Sequence, residues 1–265
     1  MEAREPFCRE AGSGPGVVCI HSNASSSSQW RGLMDRLATK FHVLAPDSYG
    51  AGSGPPWPAD RRIALRDEAA LLDPVFARAG SPFTLVGHSY GAAVALIAAL
   101  QRPERIRALL LYEPALFAWV DAESPPPNDA QGIRDTVAAA VAALAAGDRS
   151  AAAEVFIDYW MGAGAWSRMP EPRRAPIEAC IANVQGWADA LFDEPTPLSA
   201  VRALEMPVLL MVGTRSPASS RAVARLLTGA FQNLQLIEFD GLGHMGPITH
   251  PEVVNAAIET FLRAA

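Results

Sequence analysis

The pentapeptide Gly87-His88-Ser89-Tyr90-Gly91 constrains this chain more than any other feature. A short apolar run, residues 83–86, leads into it, and AAVALIAAL follows as a helix pattern that stops near Arg102 and Pro103. A strand that feeds straight into a helix must turn sharply. Glycines two places before and two after the serine remove the side chains that would obstruct such a turn, and the serine is left held out at the bend. The helix also aims its N-terminus at that point, which favours negative charge there. The pattern Gly-x-Ser-x-Gly is cheap on its own. Its place between strand and helix makes Ser89 a candidate nucleophile, with a merely structural tight turn as the alternative. His88 is expected to point away from the serine and to serve a structural role.

The rest of the chain repeats this rhythm. Residues 17–21 (VVCIH), 41–46 (FHVLAP), 108–112 (ALLLY), 208–212 (VLLMV) and 234–239 read as short strands, several of them near-continuous apolar runs. Residues 28–40, 63–78 and 251–262 read as helices, with Pro74 placed to kink the second. Such alternation predicts an α/β fold: a mainly parallel sheet covered by helices on both faces, with an antiparallel edge strand from the opening residues. The 265 residues suffice for one sizeable core. Residues 114–204 break the pattern with SPPPND and then helices over 131–146, 151–160 and 175–192. They predict a helical cap inserted into a core made of residues 1–113 and 205–265. Trp119, Trp166 and Trp187 lie in this cap, and they either pack it to the core or line an apolar pocket together with His21, Ser22 and Met245.

A serine hydroxyl needs a base within hydrogen-bond reach. Of the five histidines, His244 in Asp240-Gly241-Leu242-Gly243-His244 is best placed, in a glycine-rich loop just past the last strand. His42 sits inside a strand and His250 at a helix start. Acyl transfer puts charge on a carbonyl oxygen, so two backbone N–H groups should converge on it. The amide of Tyr90 follows the nucleophile, and that of Asn23 lies in the loop after the first buried strand, braced by His21. The net charge of −6 carries no basic footprint for nucleic acid. The three cysteines lack metal-ligand spacing, and no apolar run is long enough to span a bilayer. With no visible signal segment, a cytoplasmic location is the expectation.

Four motifs in order, HSNASSSSQW, APDSYGAGSG, VGHSYGA and GLGHMGPITHP, resemble those of the α/β-hydrolase superfamily over nearly the whole chain. The resemblance implies Ser89 as nucleophile, His244 as base and the Asn23 and Tyr90 amides as oxyanion donors, with no cofactor and no metal. Ser22 replaces the usual glycine. Most relatives carry the triad acid just after the strand equivalent to VLLMV, where this chain reads Gly213-Thr214-Arg215-Ser216-Pro217 without a carboxylate. Either the acid has moved or catalysis is impaired. Glu113, at the end of ALLLYEP, is the favoured replacement, ahead of Asp240 and Asp47, while a structural Arg215–Glu113 bridge is the bland alternative. The implied substrate is a small-molecule ester with an apolar group, which makes carboxylesterase the first choice. C–C bond, lactone, amide and thioester hydrolysis, or ligand binding without turnover, are the others. Neither nucleic acid nor stable membrane insertion is expected.

Overall fold

The computed structural model describes residues 6–264. Residues 1–5 and 265, assigned to the core from sequence, lie outside the described residues. One sheet contains β1 (Cys8–Ala11), β2 (Gly16–Ile20), β3 (His42–Pro46), β4 (Phe83–His88), β5 (Ile106–Tyr112), β6 (Val208–Gly213) and β7 (Leu234–Phe239). Their spatial order is β1-β3-β2-β4-β5-β6-β7. The edge strand β1 runs antiparallel to β3, and every other pairing is parallel. All residues of β2, β4 and β6 are buried, as a parallel sheet clothed on both faces requires.

Alternation along the strands divides the core into two layers. Val18, Ile20, Leu85, Leu109 and Leu210 face one cluster, and Val17, Cys19, Val86, Leu110 and Met211 face the other. The second is closed by the Arg31–Leu37 helix and the Pro251–Ala264 helix, through Leu33, Met34 and Leu37 against Val254, Ile258 and Leu262. Residues 63–78 form two helices, Leu65–Leu71 and Asp73–Arg78, instead of one kinked helix. Pro74 falls in the first turn of the second, where its missing N–H has no intrahelical acceptor waiting.

The helical insertion lies between β5 and β6 and includes Phe117–Glu123, Gln131–Ala145, Arg149–Met161, Glu171–Cys180 and Val184–Phe192. The helix expected over 175–192 is interrupted by a tight turn at Ile181–Asn183. The insertion does not bury a separate core: Ile133, Phe156, Trp160 and Trp187 belong to the same apolar cluster as Leu85 and Leu96 of the main body. Among the described residues, no helix is long and apolar enough to cross a membrane.

This topology fixes where chemistry can occur. β2 has β3 on one side and β4 on the other, so chain direction across the sheet reverses between β2 and β4. Ligands bind outside the carboxyl ends of strands at such a point. Register keeps those ends level: Ile20 pairs with Gly87, His88 with Tyr112, Tyr112 with Met211 and Gly213 with Phe239.

Candidate active site

β4 passes into the Tyr90–Gln101 helix through Ser89, whose φ of 56° and ψ of −117° lie in a region that costs an L-residue energy. The turn is held by Ser89 N–H donating to the Tyr112 carbonyl at 2.9 Å and Ala93 N–H to the Ser89 carbonyl at 3.0 Å. Both flanking glycines are demanded by crowding. A Cβ on Gly87 would sit 2.5 Å from Ala92 Cα, and one on Gly91 2.3 Å from the His21 carbonyl oxygen. Ala24 and Glu113 are the other non-glycine residues with positive φ among those described, at 53° and 45°. All three lie at the same sheet edge.

His244, in the loop beyond β7, reaches back so that its Nε2 is 2.8 Å from Ser89 Oγ. Its Nδ1 is 2.6 Å from Glu113 Oε2. With Nδ1–H donating to the carboxylate, Nε2 is left to accept from the serine hydroxyl, which is the tautomer a general base needs. The Glu113 side chain is fully buried. Its other oxygen accepts from Gly213 N–H at 2.7 Å and Ser216 Oγ at 2.5 Å. These donors and the imidazole offset the cost of burying a carboxylate. Asp240 is instead engaged by Thr214 Oγ1, and Asp47 by the N–H groups of Ser27 and Ser53. Arg215 is exposed and forms no bridge to Glu113.

A family model described as the alpha/beta hydrolase fold matches residues 15–251. The chain belongs to the α/β-hydrolase family. It is 30% identical over 271 residues to the lipase LipV of Mycobacterium tuberculosis, covering 94% of each chain. It is 26% identical over 280 residues to a pimeloyl-[acyl-carrier protein] methyl ester esterase of Aeromonas hydrophila, covering 95% of this chain and 96% of that one. Among solved structures, an alpha/beta hydrolase from Sphaerobacter thermophilus matches with a TM-score of 0.70 and 26% identity, covering 94% of this chain and 95% of that one. A match of 37% identity over 108 residues to uncharacterized mycobacterial proteins spans only 30% of their length.

The loop after β2 places Asn23 on the wall of a cavity that also holds Ser89. No protein acceptor engages the backbone N–H of Asn23 or of Tyr90 among the described residues. Ser22, in the usual glycine's place, has an unstrained φ, and its N–H and Oγ both donate to Gln29 Oε1, at 3.2 and 3.1 Å. Gln29 Nε2 donates in turn to His88 Nδ1 at 3.1 Å, and His88 Nε2–H to the His244 carbonyl at 2.8 Å. This relay ties the Asn23 loop to the His244 loop. Burial, with His244 close by, holds His88 neutral by driving its pKa well below the usual value. Burial also lowers that of His21, whose Nδ1–H donates to the Ser22 carbonyl while Nε2 accepts from Ser48 N–H. Below Tyr90 lies Glu68, fully buried, its carboxyl pushed up to about 8 by desolvation.

A cavity of about 830 Å³ opens onto Ser89 and His244. Of the residues expected to line it, Ser22, Trp187 and Met245 do so. Trp119 does not: its ring is buried in the insertion with Nε1–H donating to the Thr196 carbonyl. Trp166 is likewise buried, under the Arg174 guanidinium. His21 lies beneath the Asn23 loop instead of in the cavity wall. The missing wall is supplied by Phe156, Trp160, Ile177 and Leu191. Gln29, Ser216 and Ser220 are site residues that sequence reasoning missed, and Trp160, though it lies in the same helical region as the other tryptophans, was not among those assigned to the pocket. Ser216 left a trace, as a hydroxyl just past the place where relatives carry a carboxylate.

Proposed function

We propose that this hydrolase cleaves carboxylic esters with an apolar acyl or alkyl group through an acyl-enzyme on Ser89. The observation that carries the reading is the unbroken series Ser89 Oγ, His244 Nε2, His244 Nδ1 and Glu113 Oε2, with gaps of 2.8 and 2.6 Å, opening onto an apolar cavity. The names of the lipase and methyl ester esterase relatives support it.

As Ser89 Oγ bonds to the ester carbonyl carbon, its proton passes to His244 Nε2 and the carbonyl π pair moves to oxygen. That oxyanion is met by the Asn23 and Tyr90 amides, each donor of this type being worth roughly a hundred- to thousandfold in kcat. Collapse expels the alcohol oxygen, which takes the proton from His244. A water, deprotonated by the same imidazole, then releases the acid and restores Ser89. Glu113 stays ionised throughout, orienting the ring and balancing its transient charge.

The test is covalent labelling by a fluorophosphonate, together with turnover of p-nitrophenyl butyrate. The wild type should be labelled and active. Ser89→Ala should fold, resist labelling and lose turnover by at least about a thousandfold. Undiminished turnover in that variant would remove Ser89 from the mechanism, whereas a folded, unlabelled wild type that retains an ester intact would favour a binding protein.

A further inference from the structure

Two in-plane hydrogen bonds fix the line through Nδ1 and Nε2 of an imidazole but leave the ring free to rock about that line. In this protein a third restraint comes from the insertion. The ring of Trp160, in the last turn of the Arg149–Met161 helix, is stacked on His244 with centroids 4.1 Å apart and planes 29° apart. Trp160 is itself wedged by neighbours meeting it edge-on: Phe156 at 6.2 Å and 72°, and Tyr159 at 4.7 Å and 82°. The Tyr159 hydroxyl is hydrogen-bonded to Ser219 Oγ at 2.8 Å, and the adjacent Ser220 Oγ lies 3.1 Å from His244 Nδ1. One helix of the main body, Ala218–Ala230, thus anchors both the stacked ring's neighbour and the imidazole.

We propose that Trp160 is a positioning residue for His244, one that also favours its protonated form. The proposal rests on the acyl-transfer reading above. The indole face stops the imidazole from rocking out of line between Ser89 and Glu113. Its π electrons attract the positive charge that arises when the serine proton arrives. Both rings are almost wholly buried, with Trp160 8% and His244 1% exposed. Water therefore screens the attraction little, and cation–π contacts are strongest when desolvated.

The groups facing the imidazole from the elements packed around it are Glu113 after β5, His88 at the end of β4, Ser89 and Ser220. Glu113 is the one anion among them, and His88 is kept neutral by burial. Substitution at 160 changes none of these. Trp160→Phe keeps an aromatic face, and Trp160→Leu keeps an apolar roof without one, so the pair separates electronics from packing.

The experiment measures kcat and KM for p-nitrophenyl butyrate from pH 4.5 to 9 in the wild type and both variants, with active sites counted by fluorophosphonate labelling. In the Leu variant, kcat per labelled site should fall about three- to tenfold. Activity requires a neutral base, and the stacked ring favours the charged one. Its loss should therefore move the acid limb of kcat/KM to lower pH by about half to one unit. The Phe variant should keep most of both. Emission of Trp160, taken as wild type minus Phe variant, should be quenched on acidification, and His244→Gln should abolish that pH dependence. Equal losses in both variants with an unmoved limb would reduce Trp160 to packing and overturn the proposal, as would a Leu variant of undiminished kcat. Should the Leu variant not fold, the difference emission decides, and no pH dependence there counts against the stack. Absence of labelling at Ser89 in the wild type would instead strike the acyl-transfer reading.

Discussion

Glu68 offers a test in which the structure supplies both the sign and the size. Its carboxyl is fully buried beside Tyr90, accepting from Tyr49 N–H on one oxygen and from the Tyr90 hydroxyl on the other, each at 3.3 Å. Desolvation is the main reason its pKa stands near 8, against an ordinary value of 4.5, with charge on Asp67 adding to the rise. Between those two pH values the unfolded chain has released this proton and the folded chain has kept it. The folded state then binds more protons, so stability falls as pH rises through the interval and the loss is complete above about 8. At about 1.4 kcal/mol per unit the full effect is on the order of 5 kcal/mol. Glu68→Gln removes the titration while preserving the contacts, because the amide oxygen can accept from Tyr49 and its NH₂ can donate to the Tyr90 oxygen. Urea unfolding of both proteins at pH 5 and pH 9 reads the difference directly, since other titrating groups cancel. The variant should gain roughly 4 kcal/mol on the wild type across that span. Parallel stability profiles would refute the argument and mean that Glu68 is ionised in the folded protein at neutral pH.

Other outcomes follow from the same geometry. Glu113→Gln should keep the fold but lower ester kcat by about a thousand- to ten-thousandfold, because an amide can stabilise the wrong His244 tautomer. Gly91→Ala forces a Cβ to within 2.3 and 2.4 Å of the His21 and Ile20 carbonyl oxygens. It should cost about 2–3 kcal/mol or more in urea unfolding, with activity falling as the turn at Ser89 shifts. Across p-nitrophenyl esters from acetate to octanoate, kcat/KM should climb about fourfold per methylene while the chain still finds apolar wall. A flat series would mean that the acyl group lies elsewhere.

The sheet is legible in the sequence because its central strands are continuous apolar runs bounded by turn formers, and the loops at its carboxyl edge inherit their positions from it. That is why Ser89, His244 and Asn23 could be assigned to one place from motifs alone. Glu113 could be found because a carboxylate is missing after β6 while another ends the buried strand beside it. Helix continuity was less legible. Pro74 starts a new helix where a kink was expected, and the 175–192 run breaks at Ile181. The choice among tryptophans was not legible at all: in a region where every helix buries some face, spacing does not say whether an indole meets the cavity, as Trp160 and Trp187 do, or the interior, as Trp119 and Trp166 do. Ser220 carries no motif, and Gln29 lies inside HSNASSSSQW without the pattern singling it out. Their roles exist only through partners distant in the chain.

The apolar cluster shared by the insertion and the main body has an evolutionary cost. Phe156, Trp160, Ile177 and Leu191 line the cavity and at the same time belong to the cluster that packs the insertion onto the sheet. A lineage that remodels these walls for a new substrate must spend folding stability at each step. Diversification of substrate choice in this scaffold therefore waits on stabilising changes acquired elsewhere.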